Sequence, residues 1–100
     1  MNTAEFRWLV PATHPAFAGH FPGRPIVPGV VLVDQALLFA GRLAAGTAER
    51  WEIGNAKFYI PVGPGQELRF TFEQRNSGGV SFRIDRDGEL VSSGTLTLLA

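Results

Sequence analysis

The stretch from residue 14 to residue 45, HPAFAGHFPGRPIVPGVVLVDQALLFAGRLAA, constrains the fold more than any other part of the sequence. Its first half, residues 14–29, contains four prolines and three glycines. Proline removes a backbone hydrogen-bond donor and fixes φ, so this half can form neither a helix nor a central strand. We therefore predict an ordered loop that leads into the second half.

The second half, residues 30–45, contains no proline and is apolar on nearly every side. This pattern predicts a helix that begins near Pro28 and Gly29, two residue types that favour helix starts. A helix that is apolar all round is expected to be buried on all sides. It is too short to cross a bilayer, which requires ~20 apolar residues.

Three polar residues interrupt the helix, namely Asp34, Gln35 and Arg42. Arg42 lies late in the helix, where the helix dipole favours a cation that can reach water. Asp34 lies early, in a helix that we expect to be surrounded by protein. A buried carboxylate is costly unless it has a partner, so Asp34 is a candidate functional residue.

The rest of the chain has the period-two alternation, composition and turn residues of β-strands. The predicted strands are residues 5–10, 51–62, 67–74, 80–85 and 90–99. We expect 51–62 to be one long strand with an irregularity at Gly54, and hairpin turns at Asn-Ser-Gly-Gly (76–79) and Asp-Gly (87–88). The sequence thus predicts a single α+β domain over residues 1–100, with one helix on an antiparallel sheet.

Composition excludes several classes of function. The 100 residues carry nine basic and nine acidic side chains, so no basic excess indicates a nucleic-acid partner. There is no cysteine, and hence no disulfide and no thiolate metal site. The first residues lack the pattern of a signal peptide, and we expect a cytoplasmic protein. A chain this small and apolar is expected to need a partner.

The segment GHFPGRPIVPGVVLVDQA resembles the signature of the 3-hydroxyacyl-[acyl-carrier-protein] dehydratases, the FabA/FabZ-like superfamily. That signature is His-Phe-Pro-Gly followed, across two further prolines and an apolar run, by an acid. It matches from His20 to Asp34 without a gap. The preceding HPAFAG is most similar to the small ApeI-like dehydratases of aryl-polyene clusters. The acid here is Asp, as in the dehydratase/isomerase branch, whereas the commoner branch has Glu.

The resemblance implies a hotdog fold, in which an antiparallel sheet wraps one long central helix. It also implies dehydration of 3-hydroxyacyl thioesters to trans-2-enoyl thioesters in fatty-acid or polyene-type lipid biosynthesis. His20 would remove the C2 proton, for which a neutral imidazole is suited. Asp34 would protonate the leaving hydroxyl, for which a carboxyl group held protonated by burial is suited.

Backbone N–H groups at the helix start carry partial positive charge and can polarise the thioester carbonyl. The expected substrate contacts are Phe21, Pro28, Gly29 and Val30. No cofactor and no metal are expected. His14 is interpreted as a residue that orders the loop near the pocket mouth, and Gln35 as one that binds loop backbone.

Other residues have competing interpretations. Phe17, Phe21 and Phe39 are more typical of a core than of an acyl tunnel. The basic residues Arg24, Arg42 and Lys57 either guide an acidic carrier protein or are solvated surface charges.

Two alternative functions remain open at this stage. A hotdog acyl thioesterase would bind similar substrates but would not need the His-Phe-Pro-Gly motif. A non-catalytic hotdog subunit of a hetero-oligomeric dehydratase could retain part of the motif.

The assembly is expected to be a homodimer or larger, with a related hotdog protein as a possible second subunit. The first strand and the 51–62 strand are sheet edges that need covering. The resemblance implies that His20 of one chain faces Asp34 of its neighbour.

Overall fold

The computed structural model describes residues 3–13, 26–43, 51–75 and 79–98. The helix and strands follow the predicted α+β order, with one strand before the helix and the other strands after it. They are β1 (Thr3–Leu9), α1 (Gly29–Leu43), β2 (Trp51–Ile53), β3 (Lys57–Phe58), β4 (Glu67–Gln74), β5 (Gly79–Arg86) and β6 (Glu89–Leu98). None of the helices within these described ranges is long and apolar enough to span a membrane.

The strands form one antiparallel sheet in the order β1-β4-β5-β6-β2, and β3 also pairs with β6. The edges are therefore β1 on one side and β2 with β3 on the other, as predicted. Asp87 (φ 51°) and Gly88 (φ 87°) form the turn between β5 and β6. Both have positive φ, the conformation for which Asp-Gly is favoured in tight hairpins.

The single long strand predicted over residues 51–62 is wrong. Residues 54–56 separate β2 from β3, and only these two short pieces pair with β6. Ile53 pairs with Leu96, and Lys57 pairs with Ser93. Lys57 is therefore four residues after Ile53, whereas their partners in β6 are only three residues apart. The extra residue is the kind of irregularity that was predicted at Gly54, and it ends regular pairing.

Helix α1 packs on one face of the sheet through its inward side. The ring of Phe39 stacks on Phe6, with 4.6 Å between centroids, and meets Phe70 edge-on at 5.1 Å. The predicted core role of Phe39 is thus confirmed. Inward-facing side chains of the sheet complete the core, including Leu68, Phe70, Phe72, Phe82, Ile84, Val91 and Leu96.

The expectation that α1 is buried on all sides is wrong for the single chain. Val30, Asp34, Leu38 and Arg42 recur every four residues and form an exposed line along the helix, here called the outer stripe. Val30 and Leu38 are 65% and 64% exposed. The physical reason is that one sheet covers only one side of a helix. Arg42 reaches water as predicted.

The outward face of the sheet is polar. Arg69 donates two hydrogen bonds to one carboxylate oxygen of Asp85, at 3.2 and 3.0 Å. It also lies 3.7 Å from Glu5, and Arg7 pairs with Glu67 at 3.1 Å. The hydrogen bond and charge of Asp85 raise the pKa of Arg69 above its ordinary value. Alternation along β1, β4 and β5 therefore places charges outward and aromatic side chains inward, as the sequence predicts.

The end of β1 is tied to the turn before β4. The N–H of Val10 donates to the carbonyl of Gln66, and the N–H of Gly65 donates to the carbonyl of Val10, both at 2.9 Å. The Gly-Pro-Gly segment at 63–65 thereby brings the chain back to β1 before β4 begins.

Candidate active site

The start of α1 is held in place by the segment that follows β3. The N–H of Val27 donates to the carbonyl of Val62 at 2.7 Å, and the N–H of Val31 donates to the carbonyl of Pro28 at 2.9 Å. Three of the predicted substrate contacts, Pro28, Gly29 and Val30, lie together here. A helix start presents backbone donors and the positive end of the helix dipole, so this position suits a developing oxyanion.

A cavity of about 470 Å³ lies against this helix start. Ile26, Val27, Gly29 and Leu32 line one side, and residues 58–62 line the other. Apart from the hydroxyl of Tyr59, the side chains of this lining are apolar. A cavity of this composition accepts a hydrocarbon chain, with the backbone donors of the helix start at one end.

Gly29 is in close contact with the ring of Phe58. A side-chain carbon added at Gly29 would lie 2.8 to 3.1 Å from three atoms of that ring. The ring thus occupies the space that a side chain at residue 29 would need. The sequence predicts that glycine here lets substrate approach the backbone, and in the structure the first neighbour that Gly29 admits is the ring of Phe58.

The backbone on both sides of Phe58 is fixed to β6. The hydroxyl of Ser92, which is fully buried, donates to the carbonyl of Lys57 at 2.7 Å. The N–H of Tyr59 donates to the carbonyl of Val91 at 2.8 Å. These bonds hold the ring of Phe58 over the helix start, although half of the side chain stays exposed.

Asp34 lies on a different side of the helix from the cavity. Leu32 lines the cavity, and Asp34 follows two residues later, which turns it by roughly 200° around an α-helix. Its side chain is exposed on the outer stripe, so the predicted burial of Asp34 is not provided by its own chain. The sheet lies on the opposite side of α1, which is the reason for the difference. Nor does any described residue hydrogen-bond or ion-pair with this carboxylate.

The remaining predicted residues divide into two groups. His14, Phe17, His20, Phe21 and Arg24 lie outside the described residues. Gln35 is half-buried, and Arg42 and Lys57 are exposed. Arg42 also lies over the ring of Phe39, 5.3 Å from its centroid. Across residues 3–13, 26–43, 51–75 and 79–98, no cluster of three or more His, Asp or Glu side chains could hold a metal ion.

Sequence reasoning did not identify Phe58 and the segment after it as part of the site. The available signal was Pro61, which argues against one continuous strand through this region. A strand break near Pro61 would have predicted that the apolar residues after Lys57 leave the sheet and contact another element. Which element they then contact depends on the pairing with β6, and the local pattern does not contain that information.

Comparisons with known proteins agree on one family. A family model described as ApeI-like, ApeI dehydratase, matches residues 1–95. Two relatives are the 3-hydroxyacyl-[acyl-carrier-protein] dehydratases FabZ of Allorhizobium ampelinum and Rhizobium rhizogenes, which are 39% and 33% identical to this chain. The two alignments cover 87% and 84% of this chain, respectively. The chain spans 64% and 58% of the length of these two relatives.

A solved structure, the dehydratase heterocomplex ApeI:P from Xenorhabdus doucetiae, has the same fold with a TM-score of 0.86. It is 29% identical, and the match covers 98% of this chain and 88% of that chain. The antiparallel sheet around a single long helix is accordingly a hotdog fold, as the sequence predicts. On this evidence the chain belongs to the ApeI-like dehydratase family.

Proposed function

We propose that this protein dehydrates 3-hydroxyacyl thioesters carried on an acyl carrier protein to trans-2-enoyl thioesters. The observation that carries the proposal is the helix start at Gly29, which lines an apolar cavity in a chain of the ApeI-like family. The donors suit a thioester carbonyl and the cavity suits an acyl chain. Fatty-acid or polyene-type lipid biosynthesis would use such a product.

The reaction breaks the C2–H and C3–O bonds and forms the C2=C3 double bond. His20 accepts the C2 proton, and the electron pair of that bond moves toward the carbonyl carbon. Hydrogen bonds from the helix start near Gly29 stabilise the negative charge on the carbonyl oxygen. The pair then forms the double bond as the C3 hydroxyl departs, taking a proton from Asp34 to leave as water. Transfer of the proton from His20 back to Asp34 restores both groups.

In this proposal the acid and the cavity of one chain serve different sites. Asp34 lies on the outer stripe, whereas the cavity lies against the opposite side of α1. A neighbouring chain that packs on the outer stripe would bring its cavity to Asp34 and would enclose this carboxylate. The proposed site combines the helix start of one chain with Asp34 of the other, and the family resemblance adds His20 of the first chain.

The proposed partner is a second copy of this chain. Exposed apolar side chains occur on the outer stripe and on the nearby β2–β3 edge, namely Val30, Leu38, Ile53, Phe58 and Tyr59. Pairing of two such edges would continue the sheet and cover both stripes around one twofold axis. The solved ApeI:P structure is a heterocomplex, so a related hotdog subunit is the alternative partner.

The direct test of the reaction is incubation with 3-hydroxyacyl-carrier-protein substrates of several chain lengths, followed by mass spectrometry. Loss of one water is expected, and no loss from any substrate would overturn the proposal. An acyl thioester without the 3-hydroxyl group separates the alternative activity, because only a thioesterase would release free thiol from it. The predicted cytoplasmic location stays a prediction.

The shared site is tested by mixing two inactive variants, His20→Ala and Asp34→Asn. Subunit exchange produces mixed dimers with one intact site, so the mixture is expected to regain part of the wild-type activity. If exchange is demonstrated and activity stays absent, each chain contains its own complete site. An active monomer in sedimentation would lead to the same conclusion.

A further inference from the structure

The contact between Phe58 and Gly29 has a consequence for substrate choice, which rests on the proposed function. A thioester carbonyl that accepts a hydrogen bond from the helix start has its oxygen about 2.9 Å from the donor nitrogen. The C2 atom is bonded to that carbonyl carbon, which brings it to within roughly 5 Å of the same nitrogen. Any group attached to C2 must then fit beside the helix start.

The space beside the helix start is bounded by the ring of Phe58. Three ring atoms lie 2.8 to 3.1 Å from the position of a side-chain carbon on Gly29, so nothing further fits between the two residues. The ring is part of the cavity wall. Its atoms are the nearest to that position, so the ring is the side chain that a C2 substituent held beside Gly29 would meet.

The ring has little freedom to withdraw along the backbone. The residue before Phe58 is fixed to β6 because its carbonyl accepts a hydrogen bond from the hydroxyl of Ser92. The residue after Phe58 is fixed to β6 because its N–H donates to the carbonyl of Val91. On the helix side of the cavity, the hydrogen bond from the N–H of Val27 to the carbonyl of Val62 fixes the helix start. Both walls are thus anchored, and the width between them is set by the size of the side chain at residue 58.

We propose that Phe58 is a specificity-determining residue that restricts the protein to 3-hydroxyacyl thioesters with no substituent at C2. The long acyl chain beyond C3 extends into the cavity and does not meet this restriction. A single methyl group on C2 does, because it must displace the ring or the thioester carbonyl from the helix donors. A steric exclusion of one methyl group is expected to change kcat/KM by about 10- to 200-fold.

The test compares pantetheine thioesters of 3-hydroxybutanoate and of both C2 epimers of 2-methyl-3-hydroxybutanoate. Wild-type protein is expected to prefer the unbranched substrate by at least about tenfold in kcat/KM. Phe58→Ala is expected to reduce that preference at least tenfold, mainly through faster turnover of one methyl epimer. Phe58→Leu, which keeps an apolar contact on the helix start, is expected to lie between the two.

Leu9→Ala is the matched control, because Leu9 is an exposed apolar residue on β1, at the opposite edge of the sheet, and is not part of the cavity wall. It should leave the preference unchanged. Equal turnover of both substrates by wild type would overturn the inference. So would an unchanged preference in Phe58→Ala.

A binding measurement keeps this inference separate from the proposed reaction. Amide analogues of the two substrates, with nitrogen in place of the thioester sulfur, are titrated by calorimetry against each variant. If wild type dehydrates nothing, the proposed function fails, and the affinity ratio of the analogues still decides the role of Phe58. If wild type binds neither analogue, the inference about Phe58 is overturned as well.

Discussion

The outward face of the sheet and the outward face of the helix are both exposed in the single chain, but their chemistry differs. On the sheet, Arg69 and Asp85 are ion-paired, and neighbouring strands add further charges. On the helix, Val30 and Leu38 expose most of their apolar surface, with Asp34 between them. The charged face of the sheet is suited to contact with water, whereas the outward face of the helix has the composition of a surface that is covered by protein.

This difference explains why the sequence predicts a helix that is buried on all sides. Its inward residues are apolar because the chain's own sheet covers them. Its outer stripe contains the apolar residues Val30 and Leu38, we propose, because a neighbouring chain covers them. Large exposed apolar side chains grouped on the stripe and the nearby sheet edge of a small protein are typical of an interaction surface. Four changes test whether the two outward faces differ in this way.

The largest effect is expected for Asp34→Asn. The amide keeps the shape of the side chain but cannot supply the proton, so turnover should fall by about 10²- to 10⁴-fold. Because Asp34 is exposed in the single chain, the free energy of unfolding of the separated chain should change by less than about 0.5 kcal/mol. Steady-state kinetics and denaturant titration measure the two quantities.

Glu73→Gln is the control, since it makes the same chemical change at an exposed position on the sheet and should leave turnover unchanged. Asp34→Glu should retain part of the activity, because the resembling dehydratases of the commoner branch have Glu there. Full activity of Asp34→Asn would assign this carboxylate a structural role.

The next effect concerns association. Leu38→Lys places a charge in the outer stripe and should weaken self-association at least tenfold, or about 1.4 kcal/mol. Leu9→Lys makes the same change at a leucine that is 60% exposed on β1, the opposite edge of the sheet. It should leave association unchanged. Sedimentation velocity over a concentration series measures both, and equal behaviour of the two variants would contradict the assignment of the interface.

The third effect concerns stability and is expected at the helix start. Gly29→Ala introduces a methyl group into the ring of Phe58 and should lower the free energy of unfolding by about 1 to 3 kcal/mol. In a Phe58→Ala background the same change should become neutral or stabilising, because alanine is the better helix former.

Gly41→Ala provides the matched control for this cycle. It lies in the same helix, and an added carbon there would meet nothing within 4 Å. It should stabilise by about 0.5 to 1 kcal/mol. If Gly29→Ala and Gly41→Ala had equal effects, the contact with Phe58 would carry no energetic weight.

The smallest effect is expected for Asp85→Asn on the outer face of the sheet. The change removes the ion pair with Arg69, in which the Arg69 side chain is 43% exposed and that of Asp85 is 14% exposed, so solvent screens the pair in part. Stability should fall less than in the Gly29 variant, and the difference should shrink in high salt. The pKa of Arg69 is raised, so the charge on this guanidinium is lost only as pH rises through the raised pKa, and salt is the practical variable. An equal effect at all salt concentrations would point to packing instead.

Local patterns were sufficient to predict most of the elements. Alternation in Leu68, Phe70 and Phe72 gave the strand and its inward face, and Asp-Gly at 87–88 gave the hairpin turn. These features depend on neighbouring residues alone, which is why sequence contains them. The helix start at Gly29 followed equally from proline and glycine placement.

Three features could not be predicted because they depend on residues distant in sequence. The break between β2 and β3 is defined by pairing with β6. The contact of Phe58 with Gly29 requires that pairing to be known first. The exposure of Asp34 depends on which side of α1 the sheet covers, and apolar residues on both sides do not distinguish the chain's own sheet from that of a neighbour.

The hydrogen bond between Val27 and Val62 bears on how the molecule folds. It joins the start of the helix to a segment that lies on the far side of α1 in sequence, and Val10 is joined to Gly65 over a still greater separation. Closing such long loops is slow relative to forming a helix or a hairpin. The hairpins of β4, β5 and β6 can form early, while the cavity wall requires residues 26–32 and 58–62, on either side of the helix in sequence, to have met. We therefore expect the binding cavity to be among the last parts of the native structure to form, so that a chain able to bind substrate is one whose folding is already complete.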